Sequence, residues 1–453
     1  MPSAARSSVA PLYLFACLVL GGSTQGIWQN MLLQLGGLAM IAAAAVTPAD
    51  ERLARPAKLL LMLAAAAIVL VSLQQIPGGA ALWAHGPRAR ILGDYALLGG
   101  GIPPLALSLA PYDSLNSLFG IIPPLAMFCA IVSLGAYRAS WLAAALLAGA
   151  IAGVMLGALQ VASQGTSSSW YLYPETNMGA GVGLFANANH MADLLVITLP
   201  FVAAIVAAGK SRNLQRYSAV LAICSAAALL IIVGIALNGS LAGYALAVPV
   251  IAGSALIVLP PTSRYRPWVA IVAALAVVAS LGLLASSAIG SSKIGHDASS
   301  SVQSRQEILA TTARAMNDFM PLGSGPGSFV KVYRLYETPD RVTNEYVIHA
   351  HNDYAELTLE LGVPGVILML LFLAWWVALV RAAWRTGGGG AFARAASIAS
   401  AAILLHSLVD FPLRTAAISA CFAMCLALLA DRRAPPQRQD ANELRPTRHL
   451  AFT

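Results

Sequence analysis

Apolar runs of membrane-spanning length follow one another along almost the whole chain. They lie near residues 10–22, 31–47, 58–76, 115–134, 139–163, 188–209, 218–237, 241–260, 268–290, 363–380, 392–410 and 414–430. A helix crosses a bilayer with roughly 17–25 apolar residues, so the pattern counts about twelve crossings. Runs of this length are those of helices, whose backbone N–H and C=O groups pair within the segment and so need no water inside lipid. Composition agrees. Of 453 residues, 58% are hydrophobic and 10% charged, against about a quarter charged in a soluble domain. The expected fold is all-α: a polytopic membrane protein of about twelve helices, one domain over residues 1–430.

The net charge of +8 is distributed as a topology signal. Basic residues follow every even-numbered run: Arg52, Arg55 and Lys58; Arg138; Lys210, Arg212 and Arg216; Arg264 and Arg266; Arg381, Arg385 and Arg394; Arg432, Arg433 and Arg438. By the positive-inside rule both termini are cytoplasmic and the odd-numbered connections face outward. A Lys/Arg stripe with interleaved aromatics is missing, which argues against nucleic-acid binding. The largest outward connection spans roughly 291–362, between the ninth and tenth runs. The tail 431–453, rich in Pro and Arg, is expected to be a disordered cytoplasmic end.

The other bulk features are structural. Cys17, Cys129, Cys224, Cys421 and Cys425 all lie in apolar runs without metal-ligand spacing, as small packing residues do. The first run is followed at once by a second without a clean cleavage signature, so it is read as an uncleaved helix. Ala- and Gly-rich stretches allow close helix approach and do not form a repeat.

Chemistry concentrates where the largest outer connection meets the tenth run, in "HAHNDYAELTLELGVPG", residues 349–365. Asp353 and Glu356 have capping-box spacing, Ala355–Leu361 are good helix formers, and Gly362 is a stop. A short interfacial helix over about 354–361 is therefore expected to bend into the tenth span. His351 lies just before its N-terminus, where the partial positive charge favours a neutral imidazole that accepts a proton. His349 is the other base candidate, and interfacial hydrogen bonding is the plain alternative for both. Glu356 and Glu360 share a helix face, an arrangement that is usually solvated.

Upstream in the same connection, Arg305 and Arg314 lie in a helical segment. "PLGSGPGSF", residues 321–329, is a Gly-rich turn containing Gly325 and Gly327, whose N–H groups are able to approach an anion. Lys331, Arg334 and Arg341 follow. Outer arginines suit bidentate phosphate binding. "GLFANANHMADLL" places Asn187, Asn189 and His190 before the sixth span, where asparagines also serve as helix caps. "HSLVDFPLR" places Asp410 four residues before Arg414, a spacing that pairs them on one helix face.

These four blocks, in this order over residues 181–414, resemble the O-antigen ligase and polymerase superfamily of bacterial envelope glycosyltransferases. The third block fits the ligase signature: His351, Asn352, nine residues, Gly362, two residues, Gly365. One departure is clear: "ALNGSLAGYAL" has Leu241 where members often carry an arginine in a Ser-Arg-Gly stretch. Arg88, Arg90 and Arg314 are the possible substitutes.

The resemblance implies transfer of a glycan from undecaprenyl diphosphate to a sugar hydroxyl at the periplasmic face of the inner membrane, by an inverting enzyme without cofactor or metal. In that reading His351 and Arg305 are catalytic, as base and diphosphate clamp. His349, Asn352, Arg314, Arg334, Gly325, Gly327, Asn187, Asn189, His190 and Asp410 bind substrate. The ligase signature favours lipid A-core as acceptor and lipopolysaccharide assembly as the pathway. A polymerase of O-antigen or exopolysaccharide repeat units differs only in acceptor. A small-solute transporter is the alternative of another class, disfavoured because span interiors carry almost no charge.

Overall fold

The computed structural model describes residues 3–24, 27–47, 53–78, 80–99, 105–210, 213–289, 296–338, 346–385 and 389–431. Arg341 and nearly all of the expected tail lie outside them. The described residues form sixteen α-helices. They are α1 (Ser3–Leu20), α2 (Trp28–Val46), α3 (Arg55–Leu73), α4 (Gly86–Leu97), α5 (Pro111–Gly120), α6 (Ile122–Val132), α7 (Ala139–Ala162) and α8 (Ala188–Ala208). The second half holds α9 (Leu214–Asn238), α10 (Leu241–Val258), α11 (Arg266–Ile289), α12 (His296–Phe319), α13 (Phe329–Tyr336), α14 (Asp353–Trp384), α15 (Ala391–His406) and α16 (Ala416–Ala430).

Among the described residues nine helices are long and apolar enough to cross a membrane, with α5 and α6 counted as one; α1, α15 and α16 are shorter apolar helices. The twelve apolar runs of the sequence each fall on one of these helices. The described residues are thus all-helical, with the long apolar helices of a polytopic membrane protein. Two further helices, α12 and α13, occupy the 291–362 connection, and α4 the connection before α5.

α8 is the axis of the bundle. Nearly all its residues are buried, Met191, Ala192, Leu194, Leu195, Val196 and Ile197 among them, and it packs against α7, α9, α10 and α15. α11, by contrast, keeps Trp268, Ile271, Val272, Leu275 and Val278 exposed, as lipid-facing side chains of an outer helix are. A second, smaller core forms outside the bundle, where Ile308, Ala315, Phe319, Phe329, Val332, Tyr333, Ala350 and Leu359 pack α12 and α13 onto the start of α14.

The connections sort into two ends. At one end Arg6 reaches the Leu134 carbonyl, Tyr137 donates to Asp431 (2.6 Å), and Lys210 donates to the Val258 carbonyl (3.2 Å). These are the basic, even-numbered connections. At the other end all six odd-numbered connections meet. Tyr173 donates from the α7–α8 connection to the Leu20 carbonyl (3.3 Å), Ser108 N–H to Gln74 O, and Leu109 N–H to Ser324 O. Asp353 N–H donates to Ser407 O (2.9 Å).

The Gly-rich turn docks on the bend in α14. Gly362 sits at φ +62, ψ −153, and a Cβ there would lie 2.2 Å from the Pro321 carbonyl oxygen. That backbone conformation is essentially restricted to glycine. Gly323 faces it at φ +79, and its Cβ would meet the Glu360 carbonyl at 2.3 Å. The two backbones lie so close that they pair: Val363 N–H donates to Pro321 O (2.8 Å), Ser324 N–H to Leu359 O and Gly325 N–H to Glu360 O.

Candidate active site

α14 starts one residue earlier than its sequence indicates. Asn352 is the cap, accepting from Ala355 N–H at 3.0 Å. Asp353 and Glu356 therefore do not form a capping box and turn inward instead. Asp353 accepts from the Ser407 hydroxyl (2.9 Å) and lies 3.6 Å from Arg414 Nε. Glu356 accepts from Ala350 N–H (2.8 Å) and meets His349 Nδ1 (2.9 Å) and Arg414 Nη2 (3.2 Å). Glu360, one turn on, accepts from Gly327 N–H (2.7 Å) and Arg414 Nη2 (3.3 Å). Both glutamates are 1% exposed, not solvated as their i, i+4 spacing suggests. Ala350, His349, the Gly-rich turn and Arg414 take up their oxygens instead of water.

Arg414 is thus the hub of a buried cluster of three carboxylates. Burial works against its charge, but Glu356, Glu360 and Asp353 together raise its pKa. Asp410 takes no part in this cluster. α15 ends at His406, and the chain turns through 407–411 before the short 3-10 turn Pro412–Arg414. Without a continuous helix, the four-residue spacing no longer places the two side chains on one face.

Asp410 belongs to His351. Its Oδ1 lies 3.3 Å from His351 Nδ1, and its Oδ2 accepts from the Asn189 side-chain amide. Asn189 Oδ1 in turn accepts from the Ser240 hydroxyl (2.7 Å). Asn187 caps α8, accepting from Asn189 N–H (2.8 Å), and Ser240 caps α10. The asparagines therefore do both jobs the sequence offers: one caps, and the other bridges to the acid. Asp410 is fully buried. Burial alone would push its carboxyl up. The hydrogen bond and charge contact with His351, with His190 and Arg305 adding smaller effects, hold it well below the usual carboxylate range.

An ionised Asp410 facing Nδ1 favours the tautomer with the proton on Nδ1, which leaves Nε2 with a lone pair. The 3.3 Å separation is long, as such contacts often are before substrate binds. His351 also holds φ +48, an uncommon conformation for a residue with a side chain, and such conformations gather at functional sites. Phe411 packs against three imidazoles, with ring centroids 4.3 Å from His349, 5.0 Å from His351 and 5.1 Å from His190.

Two openings adjoin His351. One is a cavity of about 450 Å³ lined by Gly22–Thr24, Glu175–Asn177, Ala186, Asn187, His190, Tyr346, Ile348, His351 and Phe411. The other is a narrow crevice lined by Arg305, Leu309, Ala350, His351, Asn352, Leu408 and Val409. The structure thus brings His351, Arg305, Asn352, Asn187, Asn189, His190 and Asp410 into one site. His349 stands behind it, bonded to Glu356.

The remaining expected residues lie elsewhere. Arg314 is exposed and donates to Thr311 in its own helix (3.0 Å). Arg334 is exposed and stacks over the Tyr346 ring at 5.1 Å, beside the cavity. Gly325 and Gly327 pack on Ser108 and Asp113, with the Gly327 amide committed to Glu360. Arg88 is buried, donating to Leu107 O (2.8 Å) and Gly323 O (2.7 Å), so its role is to tie α4 to the Gly-rich turn.

Residues 226–370 match the family model described as O-antigen ligase. The chain carries an O-antigen ligase domain. The match runs from within α9 into α14 and includes Ser240, Arg305, the Gly-rich turn and the stretch 349–365. Asn187–His190 precede it and Asp410 and Arg414 follow it; these reach the domain through the fold. Among curated proteins no match is found. The match supports the O-antigen ligase superfamily for this chain and points to glycosyl transfer in envelope polysaccharide assembly, on glycan and lipid-linked substrates in general.

Proposed function

We propose that this protein transfers an oligo- or polysaccharide from undecaprenyl diphosphate to a sugar hydroxyl of lipid A-core, at the periplasmic face of the bacterial inner membrane. The observation that carries this reading is His351, anchored at Nδ1 by a buried carboxylate and shared by a roomy cavity and an arginine-lined crevice. In this reading the chain crosses twelve times with both termini in the cytoplasm, because the site gathers at the end opposite the basic connections.

Nε2 of His351 takes the proton of the acceptor hydroxyl as its oxygen attacks the anomeric carbon. The bond from that carbon to the diphosphate oxygen breaks, and the electron pair leaves with undecaprenyl diphosphate. Arg305 balances the charge that develops there, the larger part of the rate effect. A single displacement inverts the anomeric centre. In this reading the fixed charge of Arg305, and not a divalent cation, balances the diphosphate.

The test is transfer by the purified protein from a defined undecaprenyl-diphosphate-linked glycan, with lipid A-core and the repeat-unit oligosaccharide offered as separate acceptors. Capped lipid A-core is the expected product. Extension of the repeat unit alone would make the protein a polymerase.

A further inference from the structure

We propose that the 450 Å³ cavity is the acceptor-sugar site and that His190 binds an acceptor hydroxyl within it. This rests on the glycosyl-transfer reading and adds which opening takes which substrate.

His190 lies in the first turn of α8, 1% exposed, and lines the cavity. It packs edge-on between Phe185 (6.4 Å) and Phe411 (5.1 Å). Neither of its ring nitrogens has a hydrogen-bond partner. A buried polar atom left unpaired is destabilising, and a hydroxyl arriving from the cavity would relieve that cost. Asn187, one turn earlier, and His351 line the same cavity, so a hydroxyl held by His190 belongs to a ring that also faces His351.

The rest of the wall fits a sugar better than a diphosphate. Phe411 and Tyr346 supply aromatic faces, and Ser23, Thr24, Thr176, Asn177 and Asn187 supply hydroxyls and amides. Among the described residues, no lysine or arginine lines it. The cation of the site, Arg305, lines the crevice that also touches His351. A diphosphate needs fixed positive charge, and a sugar needs convergent neutral polar groups with apolar ring faces. The volume lies within the range of small-molecule sites, about 300–1,000 Å³. The acceptor hydroxyl thus reaches His351 from the cavity and the donor diphosphate reaches Arg305 in the crevice, so that the two substrates meet at His351.

The experiment measures steady-state kinetics of full-length protein in proteoliposomes, varying acceptor and donor separately. His190→Gln keeps a hydrogen-bonding group and His190→Phe removes it. The acceptor KM should rise at least tenfold in His190→Phe and less in His190→Gln, with the donor KM within twofold of wild type. A donor KM that rises while the acceptor KM stays fixed overturns the assignment, as do two unchanged values. A second measurement needs neither turnover nor a His190 variant. Ile348→Cys, on the cavity wall, is labelled with a maleimide in the presence of lipid A-core, repeat-unit oligosaccharide or undecaprenyl-diphosphate-linked glycan. Protection by one of the first two supports the site and identifies the acceptor source; protection by the lipid-linked donor alone, or by none, overturns it. Failure of wild type to transfer to either acceptor would instead strike the proposed function.

Discussion

At the scale of single residues, the proposed roles are a base, His351, its anchor, Asp410, and a clamp, Arg305. Asp410→Asn keeps the shape but loses the charge that fixes the His351 tautomer. Its kcat should fall at least about a hundredfold and up to about 10⁴-fold, the cost of the wrong tautomer when the carboxylate behind a general-base histidine becomes an amide. His349→Ala should be milder than His351→Ala, because His349 faces Glu356 and lines neither opening; the opposite order of severity would move the base to His349. Arg305→Lys should lose about a hundredfold or more per folded molecule, since a planar fork matters as well as charge. Wild-type turnover in Arg305→Lys would end the clamp assignment.

Much of this site was legible in sequence. The polar stretch 349–365 between apolar runs marked His351, and outer arginines marked Arg305. The partners of Asp410 were not legible. A four-residue spacing pointed to Arg414, and only the break after His406 redirects Asp410 to His351 and Asn189. The acid cluster was hidden for a similar reason: helical periodicity gives a shared face but not what covers it.

At the scale of elements, the bend in α14 explains why glycine stands where it does. Its two halves are oriented by the docked turn 321–329, and the bend carries His351 and the acid cluster into position. Gly362→Ala forces both a conformation reserved for glycine and a clash with the Pro321 carbonyl. The variant should lose at least about 2 kcal/mol of stability, read as a lower midpoint of thermal unfolding in detergent; an unchanged midpoint would refute the interlock. Arg414→Met should be worse, by about 3–5 kcal/mol, because it leaves buried carboxylates uncompensated. The helix over 353–361 and its stop were readable from propensity and glycine placement. The docking was not, since a Gly-rich turn reads equally well as an anion cradle. Here the carboxyl group it meets is the protein's own Glu360.

At the scale of the whole molecule, hydropathy sufficed to locate the bundle, because lipid allows long apolar runs no other backbone solution. Three of the twelve helices fall short of a full crossing by length and composition, so the crossing number rests on topology. Cysteines placed at Thr24, Thr176 and Leu408 should be labelled by an impermeant maleimide from outside spheroplasts, and one at Ser263 should not. Labelling at Ser263 alone would invert the orientation. EDTA should leave transfer unchanged, since Arg305 is assigned the charge-balancing role; activity lost in EDTA and restored by magnesium would count against that role.

The most direct test of the account is turnover by purified protein in proteoliposomes, with undecaprenyl-diphosphate-linked glycan as donor and lipid A-core as acceptor. Wild type should give capped lipid A-core with the anomeric configuration inverted, and folded His351→Ala should give at least a hundredfold less. Product from His351→Ala at near wild-type rate, or retention of configuration, would contradict it.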